Sequence, residues 1–316
     1  MVTFLEFEKP IAALQERIVA LEGSAEGSPV NIASETKKLR KKVDSELARI
    51  YANLTPWQKA QVARHPERPH FSDFTEALFT DFEPLAGDRY FAEDAAIVGG
   101  MARFEGRPVM IIGHEKGRDT ASRLKHNFGM GKPEGYRKSV RLMELADRFQ
   151  IPVLTFVDTA GAFPGIEAEE RGAAEALARG TAACLRLGVP MVATITGEGG
   201  SGGALAMAAG NRILMLEHGF YAVISPEGCA SILWRSADKA EDAAAAMRIS
   251  ARELKQLGLI DRIVEEPLGG AHRDRPAVMA SLAKALSEEL SSLDGLSPEE
   301  LRKQRREKFL AMEQAA

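Results

Sequence analysis

The residues best placed to do chemistry lie in the segment Gly197-Glu198-Gly199-Gly200-Ser201-Gly202-Gly203. The run before it, Val189 to Thr196, is apolar and β-branched, as a strand buried on both faces is. Ala204 to Ala209, after it, is a good helix former. The glycines are therefore expected to form a loop joining a buried strand to the start of a helix. Glycine accepts positive φ and lets another molecule approach the main chain closely. A helix start offers unpaired N–H groups that favour negative charge. The expected device is a backbone cradle for an oxyanion or a phosphate.

Several motifs compete for these residues. Gly197-x-Gly199-x-x-Gly202 has the spacing of a dinucleotide fingerprint, with Glu217 at the acidic position beyond it. The helix that follows must end by Gly210, which is too short for the crossover of that fold. Gly199-Gly200-Ser201-Gly202-Gly203 also has the G-x-S-x-G pattern of a hydrolase elbow, and Asp261 and His272 follow in triad order. A serine hydrolase using Ser201 therefore stays open. Asp158-Thr-Ala-Gly161 has the D-x-x-G spacing of GTPases, but Pro133 follows Gly131-Lys132 where a P-loop needs Ser or Thr. Asp158 then reads as a turn residue at a strand end. The chain thus offers loops rich in N–H donors without a convincing base, nucleophile or metal set. That suits chemistry in which an enolate or urea anion is stabilised and the substrate supplies its own base. A single oxyanion donor is worth about 2.7–4 kcal/mol, which makes such a device sufficient.

The elements that must position these groups form a quasi-repeat. Ile151 to Asp158 leads into Thr159 to Gly165 and a helix over about 168–187; Val189 to Thr196 leads into the glycine segment and a second helix. Strand–helix alternation implies an α/β fold with a parallel sheet, and both loops then lie at the carboxyl ends of adjacent strands, where such folds bind ligands. Ala96 to Phe104 and Arg107 to Gly113 read as a hairpin around Glu105-Gly106. Residues 1–90 read as helical and non-catalytic, with a polar linker at Glu26 to Pro29 and Thr55-Pro56 as a cap followed by proline at the first helical position. Lys116 to Lys138 is rich in glycine and basic residues, which suits an anionic ligand or, in a non-catalytic alternative, a nucleic-acid-binding subunit.

Composition bounds the rest. The 316 residues carry a net charge of −4, which argues against a general nucleic-acid coat or a membrane-surface role. Only Cys184 and Cys229 are present, so there is no disulfide framework and no paired CxxC zinc site. With no signal-peptide pattern at the start, a cytoplasmic setting is expected. Leu187 to Asn211 is apolar, yet its glycines and central Glu198 exclude a membrane span.

The motifs in order carry a specific resemblance. Gly99-Gly100, Asn127-Phe-Gly-Met130, Pro133-Glu-Gly-Tyr-Arg-Lys138 and Asp158-Thr-x-Gly-Ala-x-Pro-Gly165 are followed by Gly197 to Ala206, Ile224 to Trp234 and Glu266-Pro-Leu-Gly-Gly-Ala-His272. Over nearly the full chain this resembles the α subunit of the bacterial acetyl-CoA carboxylase carboxyltransferase. The resemblance implies a crotonase-like spiral of ββα units over residues 91–293, preceded by a helical docking region (1–90) and followed by a C-terminal helix (294–316). It implies an α2β2 enzyme whose β subunit bears the zinc, working with the biotin carboxyl carrier protein and biotin carboxylase. The implied reaction moves CO2 from carboxybiotin to acetyl-CoA, giving malonyl-CoA for fatty acid synthesis: carboxybiotin releases CO2, its urea anion takes a methyl proton, and the acetyl enolate attacks. By resemblance, Gly202 and Gly203 hold the biotin carbonyl oxygen. Gly199, Gly200, Gly161, Ala162, Phe163 and Gly165 line the site, and Arg123, Lys125, Lys132 and Arg137 contact CoA phosphates or the partner. Ala160 and Phe163 depart from the Pro and Tyr usual there, which leaves the loop less rigid and without a phenol.

Overall fold

Apolar runs without polar alternates become the middle of one sheet. The computed structural model describes residues 3–23 and 32–312. The polar linker expected at Glu26 to Pro29 lies outside them. Helices α1 (Lys9–Gly23) and α2 (Ile32–Tyr51) pair through Ile11, Ile18, Leu39, Val43, Leu47 and Tyr51. The short α3 (Pro56–Ala63) starts as expected: Thr55 and Gln58 form a capping box and Pro56 occupies the first turn. After α4 (Phe71–Leu78) comes β1 (Thr80–Pro84), so the first ninety residues are not wholly helical. β1 pairs antiparallel with β2 (Ile97–Phe104), and β2 with β3 (Arg107–His114). The β2–β3 turn has φ of 48° at Glu105 and 79° at Gly106, the left-handed pair that a two-residue hairpin requires.

From β3 onward the sheet is parallel. α5 (Thr120–Lys125) and α6 (Pro133–Phe149) precede β4 (Val153–Thr159). The single helix expected over 168–187 is two helices, α7 (Ile166–Glu170) and α8 (Ala173–Arg186), because Gly172 turns left-handed (φ 79°) between them. Next come β5 (Met191–Gly200), α9 (Ser201–Ala208), β6 (Arg212–Leu216) and β7 (Phe220–Ala222). The chain closes with α10 (Pro226–Trp234), α11 (Ala240–Met247), α12 (Ala251–Gln256), β8 (Arg262–Val264), α13 (Arg275–Ser291) and α14 (Pro298–Met312). The strand order is β1-β2-β3-β4-β5-β6-β8, with β7 paired to the end of β5. Strand alternation divides the core. Val153, Val157, Met191 and Ile195 face α6, α8 and α9 on one side; Leu154, Phe156 and Val192 face α4 and α13 on the other.

The first and last described segments are tied into this body. Glu8 accepts from the Tyr51 hydroxyl (2.9 Å) and pairs with Arg273 (2.7 Å). α14 sends the fully buried Arg305 to the carbonyls of Cys184, Leu187 and Val189. No helix among the described residues is long and apolar enough to cross a membrane.

Candidate functional site

The glycine segment is mostly strand. Gly197, Gly199 and Gly200 belong to β5, which pairs with β4 at Thr159↔Gly199 and with β7 through Glu198, Gly199 and Gly200. None of the glycines from 197 to 203 has positive φ; the left-handed residue is Ser201 (φ 51°), at the strand-to-helix turn. Of the two expected reasons for glycine, positive φ does not apply within this segment; close approach does, and at Gly200 and Gly203 it is the chain's own backbone that approaches. A Cβ on Gly200 would run into the Ala160 carbonyl, and one on Gly203 would lie 2.7 Å from the Ala162 nitrogen and 2.8 Å from the Gly161 carbon. Gly199 has Tyr221 at 2.8 Å from the same position. Gly202 is different: its Cβ would meet only Leu177, at 3.6 Å.

The turn after β4 is therefore pressed onto the first turn of α9. Gly161, at a positive φ of 147° that only glycine adopts readily and held by Thr159 Oγ1, and Ala162 lie against Gly203. Gly200 caps α9 without a side-chain hydrogen bond, so the first N–H groups of that helix have no side chain as acceptor. Their partial positive charge faces the turn between β4 and α7. Phe163 leans away from α9: Gly165 leaves room for its ring, its N–H binds the Gly131 carbonyl (3.0 Å), and Lys132 Nζ sits 5.1 Å above it. The structure brings Gly199, Gly200, Gly203, Gly161 and Ala162 side by side.

On the other side of Ala160 lies a cleft of about 530 Å³ that sequence reasoning missed. Asp158, read as a turn residue, is a buried member of β4, and Lys116 bridges it (2.7 Å) to Glu198 of β5 (2.6 Å). Glu198 N–H also donates to Asp158 (2.9 Å). Arg64, just after α3, pairs with Glu198 and with Glu227 of α10, each at 2.5 Å. Burial pushes the Glu198 carboxyl up, but Lys116 and Arg64 overcome this and hold it at about 2. Burial pulls Lys116 down, and Asp158 with Glu198 raises it above the usual lysine range. The strand bearing the glycines is thus pinned by charged groups from four other segments of the chain. One signal was available. A lone carboxylate inside an apolar strand needs a buried cation, and Glu198 and Asp158 both stand in such runs.

The basic stretch divides. Arg123 lines the cleft, and Lys125 ends α5 on the surface. Lys132 is drawn to Phe163 and to Glu167 (3.4 Å), and Arg137 is buried against Asp88 (2.8 Å) and the Arg171 carbonyl (3.0 Å). The triad reading fails outright. His272 stacks on His65 (3.7 Å), while Asp261 takes Lys308 and the Ile213 N–H (2.6 Å). Ser201 instead borders an apolar pocket of about 350 Å³ with Leu205, Tyr221 and Phe309. No group of His, Cys, Asp or Glu able to hold a metal occurs among the described residues.

Comparison with known proteins places this geometry. Residues 4–313 match the family described as acetyl co-enzyme A carboxylase carboxyltransferase-like. The chain is 63% identical over 312 residues to the acetyl-coenzyme A carboxylase carboxyl transferase subunit alpha of Rhizorhabdus wittichii, covering 99% of this chain and 100% of that one. It is 61% identical to the same subunit of Zymomonas mobilis, over 98% and 99% of the two chains. Among solved structures, a Pseudomonas malonate decarboxylase hetero-tetramer in complex with coenzyme A is similar (TM-score 0.60, 20% identity, 77% of this chain and 98% of that chain). A transcarboxylase 12S with hydrolysed methylmalonyl-coenzyme A bound is similar too (TM-score 0.57, 17% identity, 72% and 42%). These structures share the expected crotonase-like fold. With identity of about 60% sustained from end to end, the chain belongs to the family of acetyl-CoA carboxylase carboxyltransferase α subunits.

Proposed function

We propose that this chain forms the biotin-facing half of a carboxyltransferase that passes CO2 from carboxybiotin on a carrier protein to acetyl-CoA, giving malonyl-CoA. The observation that carries the reading is the uncapped start of α9, held against the 160–162 turn with no room for a side chain at Gly203. Backbone N–H groups of Gly202 and Gly203 bind the biotin carbonyl oxygen there, and Gly199, Gly200, Gly161 and Ala162 shape the walls. Bound carboxybiotin supplies both the CO2 and the urea anion that removes the methyl proton. The protein orients it and stabilises developing negative charge, as a preorganised oxyanion site does. Lys116, Glu198 and Arg64 keep the glycine strand in register.

A zinc-bearing β subunit completes the site in an α2β2 assembly, supplied by the biotin carboxyl carrier protein and biotin carboxylase in the cytoplasm. Exposed Val223, Ile232, Leu233 and Trp234 on and beside α10 give a partner an apolar surface to cover. Residues 1–90 act mainly in docking, 91–293 carry the carboxyltransferase fold, and 294–316 are its C-terminal segment. The test is reconstitution with the β subunit, carboxylated carrier and acetyl-CoA. Malonyl-CoA should form only with both subunits, and Gly203→Ala should lower the rate at least tenfold by forcing the turn off α9. No product from the wild-type mixture, or an undiminished rate with Gly203→Ala, would refute the reading.

A further inference from the structure

Tyr136 lies on the buried face of α6 with Val140 and Met143, and its side chain is 1% exposed. Its ring passes beneath Gly131, whose missing Cβ would come within 3.0 Å of it, and it meets His114 edge-on at 6.3 Å. The ring thereby reaches under the junction of β5 and α9. Its hydroxyl stops 2.6 Å from the point where a Cβ of Gly203 would stand, beside the Ala162 nitrogen. Among the described residues, no atom hydrogen-bonds to that hydroxyl. A buried, unpartnered hydroxyl costs roughly 1–3 kcal/mol, and a phenylalanine would fill the same space without that cost. Burial, with the nearby Asp94 carboxylate, pushes the phenol above its ordinary range, so it stays protonated and able to donate.

Resting on the function proposed above, we propose that the Tyr136 hydroxyl is a further donor to the anionic oxygen bound at the start of α9, alongside the backbone N–H groups of Gly202 and Gly203. Two independent features converge on one point: an uncapped helix start and an unpartnered, buried hydroxyl aimed at its first turn. The hydroxyl gains its partner when negative charge develops there, so it acts on the transition state more than on binding.

The experiment compares wild type and Tyr136→Phe in the reconstituted αβ complex, measuring malonyl-CoA formation with carboxylated carrier and acetyl-CoA. We expect kcat to fall about 100- to 1,000-fold, as for loss of one oxyanion donor, with KM for the carrier within twofold. The thermal midpoint of the variant should equal or exceed that of wild type. A kcat within twofold of wild type overturns the proposal, and so does a fall in kcat accompanied by a lower midpoint, which would show a structural partner in the free chain. Absence of malonyl-CoA with wild-type protein refutes the functional reading and this proposal together. Wild-type activity with an unaltered Tyr136→Phe variant refutes this proposal alone.

Discussion

Replacing Lys116 by methionine should be among the most costly single changes in this chain. Lys116 is the shared cation of two buried carboxylates, 2.7 Å from Asp158 and 2.6 Å from Glu198, with its side chain 16% exposed. Methionine keeps the length and the apolar packing but removes the charge. Glu198 is held at about 2, against an ordinary value of 4.5, and Lys116 is the largest contributor to that depression. At about 1.36 kcal/mol for each tenfold change in acid dissociation, the depression is worth about 3 kcal/mol at neutral pH, shared with Arg64. Removing one partner of a buried pair costs about 3–5 kcal/mol, because the remaining charge is left without compensation. Lys116→Met should therefore lose about 3 kcal/mol in urea unfolding at pH 7.5.

The sign with pH is fixed by the direction of the shift. A carboxyl depressed in the folded state contributes stability that is fully present above 4.5 and is lost as pH falls toward 2. Wild type should lose that contribution on acidification, whereas Lys116→Met has little of it to lose. The difference between the two proteins should thus shrink between pH 7.5 and pH 3.5. A loss below 1 kcal/mol at pH 7.5, or a difference that does not change with pH, would show that Lys116 is not the cation holding these carboxylates.

Gly202→Ala should be tolerated by the fold, since its Cβ meets only Leu177 at 3.6 Å and alanine gains roughly 1 kcal/mol of helix propensity; thermal unfolding beside Gly203→Ala, which must move backbone, checks the contrast. Ser201→Ala should keep full carboxyltransferase activity, and the wild-type chain should not react with a fluorophosphonate probe, because His272 and Asp261 are engaged elsewhere. Ser201→Gly should raise stability by about 1 kcal/mol in urea unfolding by relieving the left-handed backbone at φ 51°. Arg305→Met should cost roughly 3 kcal/mol in the same assay, since it strands the carbonyls of Cys184, Leu187 and Val189 that α14 now satisfies.

Much of this molecule is legible along the chain because strand burial, hairpin turns and helix caps are set by near neighbours. The runs before Asp158 and Gly197 announce central parallel strands, Glu105-Gly106 announces its turn, and Thr55-Pro56 its helix. The motif series from Gly99 to His272 carries the family. Tertiary structure alone decides what those residues touch. Arg64 reaches Glu198 across 134 positions and Lys116 across 82, and only the packing of loops and helices around the sheet brings them together. The fold also parts Ser201 from His272, which stacks on His65, turning a hydrolase pattern into a coincidence. The glycines illustrate the division best. Their presence marks a crowded backbone, but whether crowding or positive φ demands them depends on where the 160–162 turn lands. It lands on Gly200 and Gly203, and leaves the positive φ to Ser201.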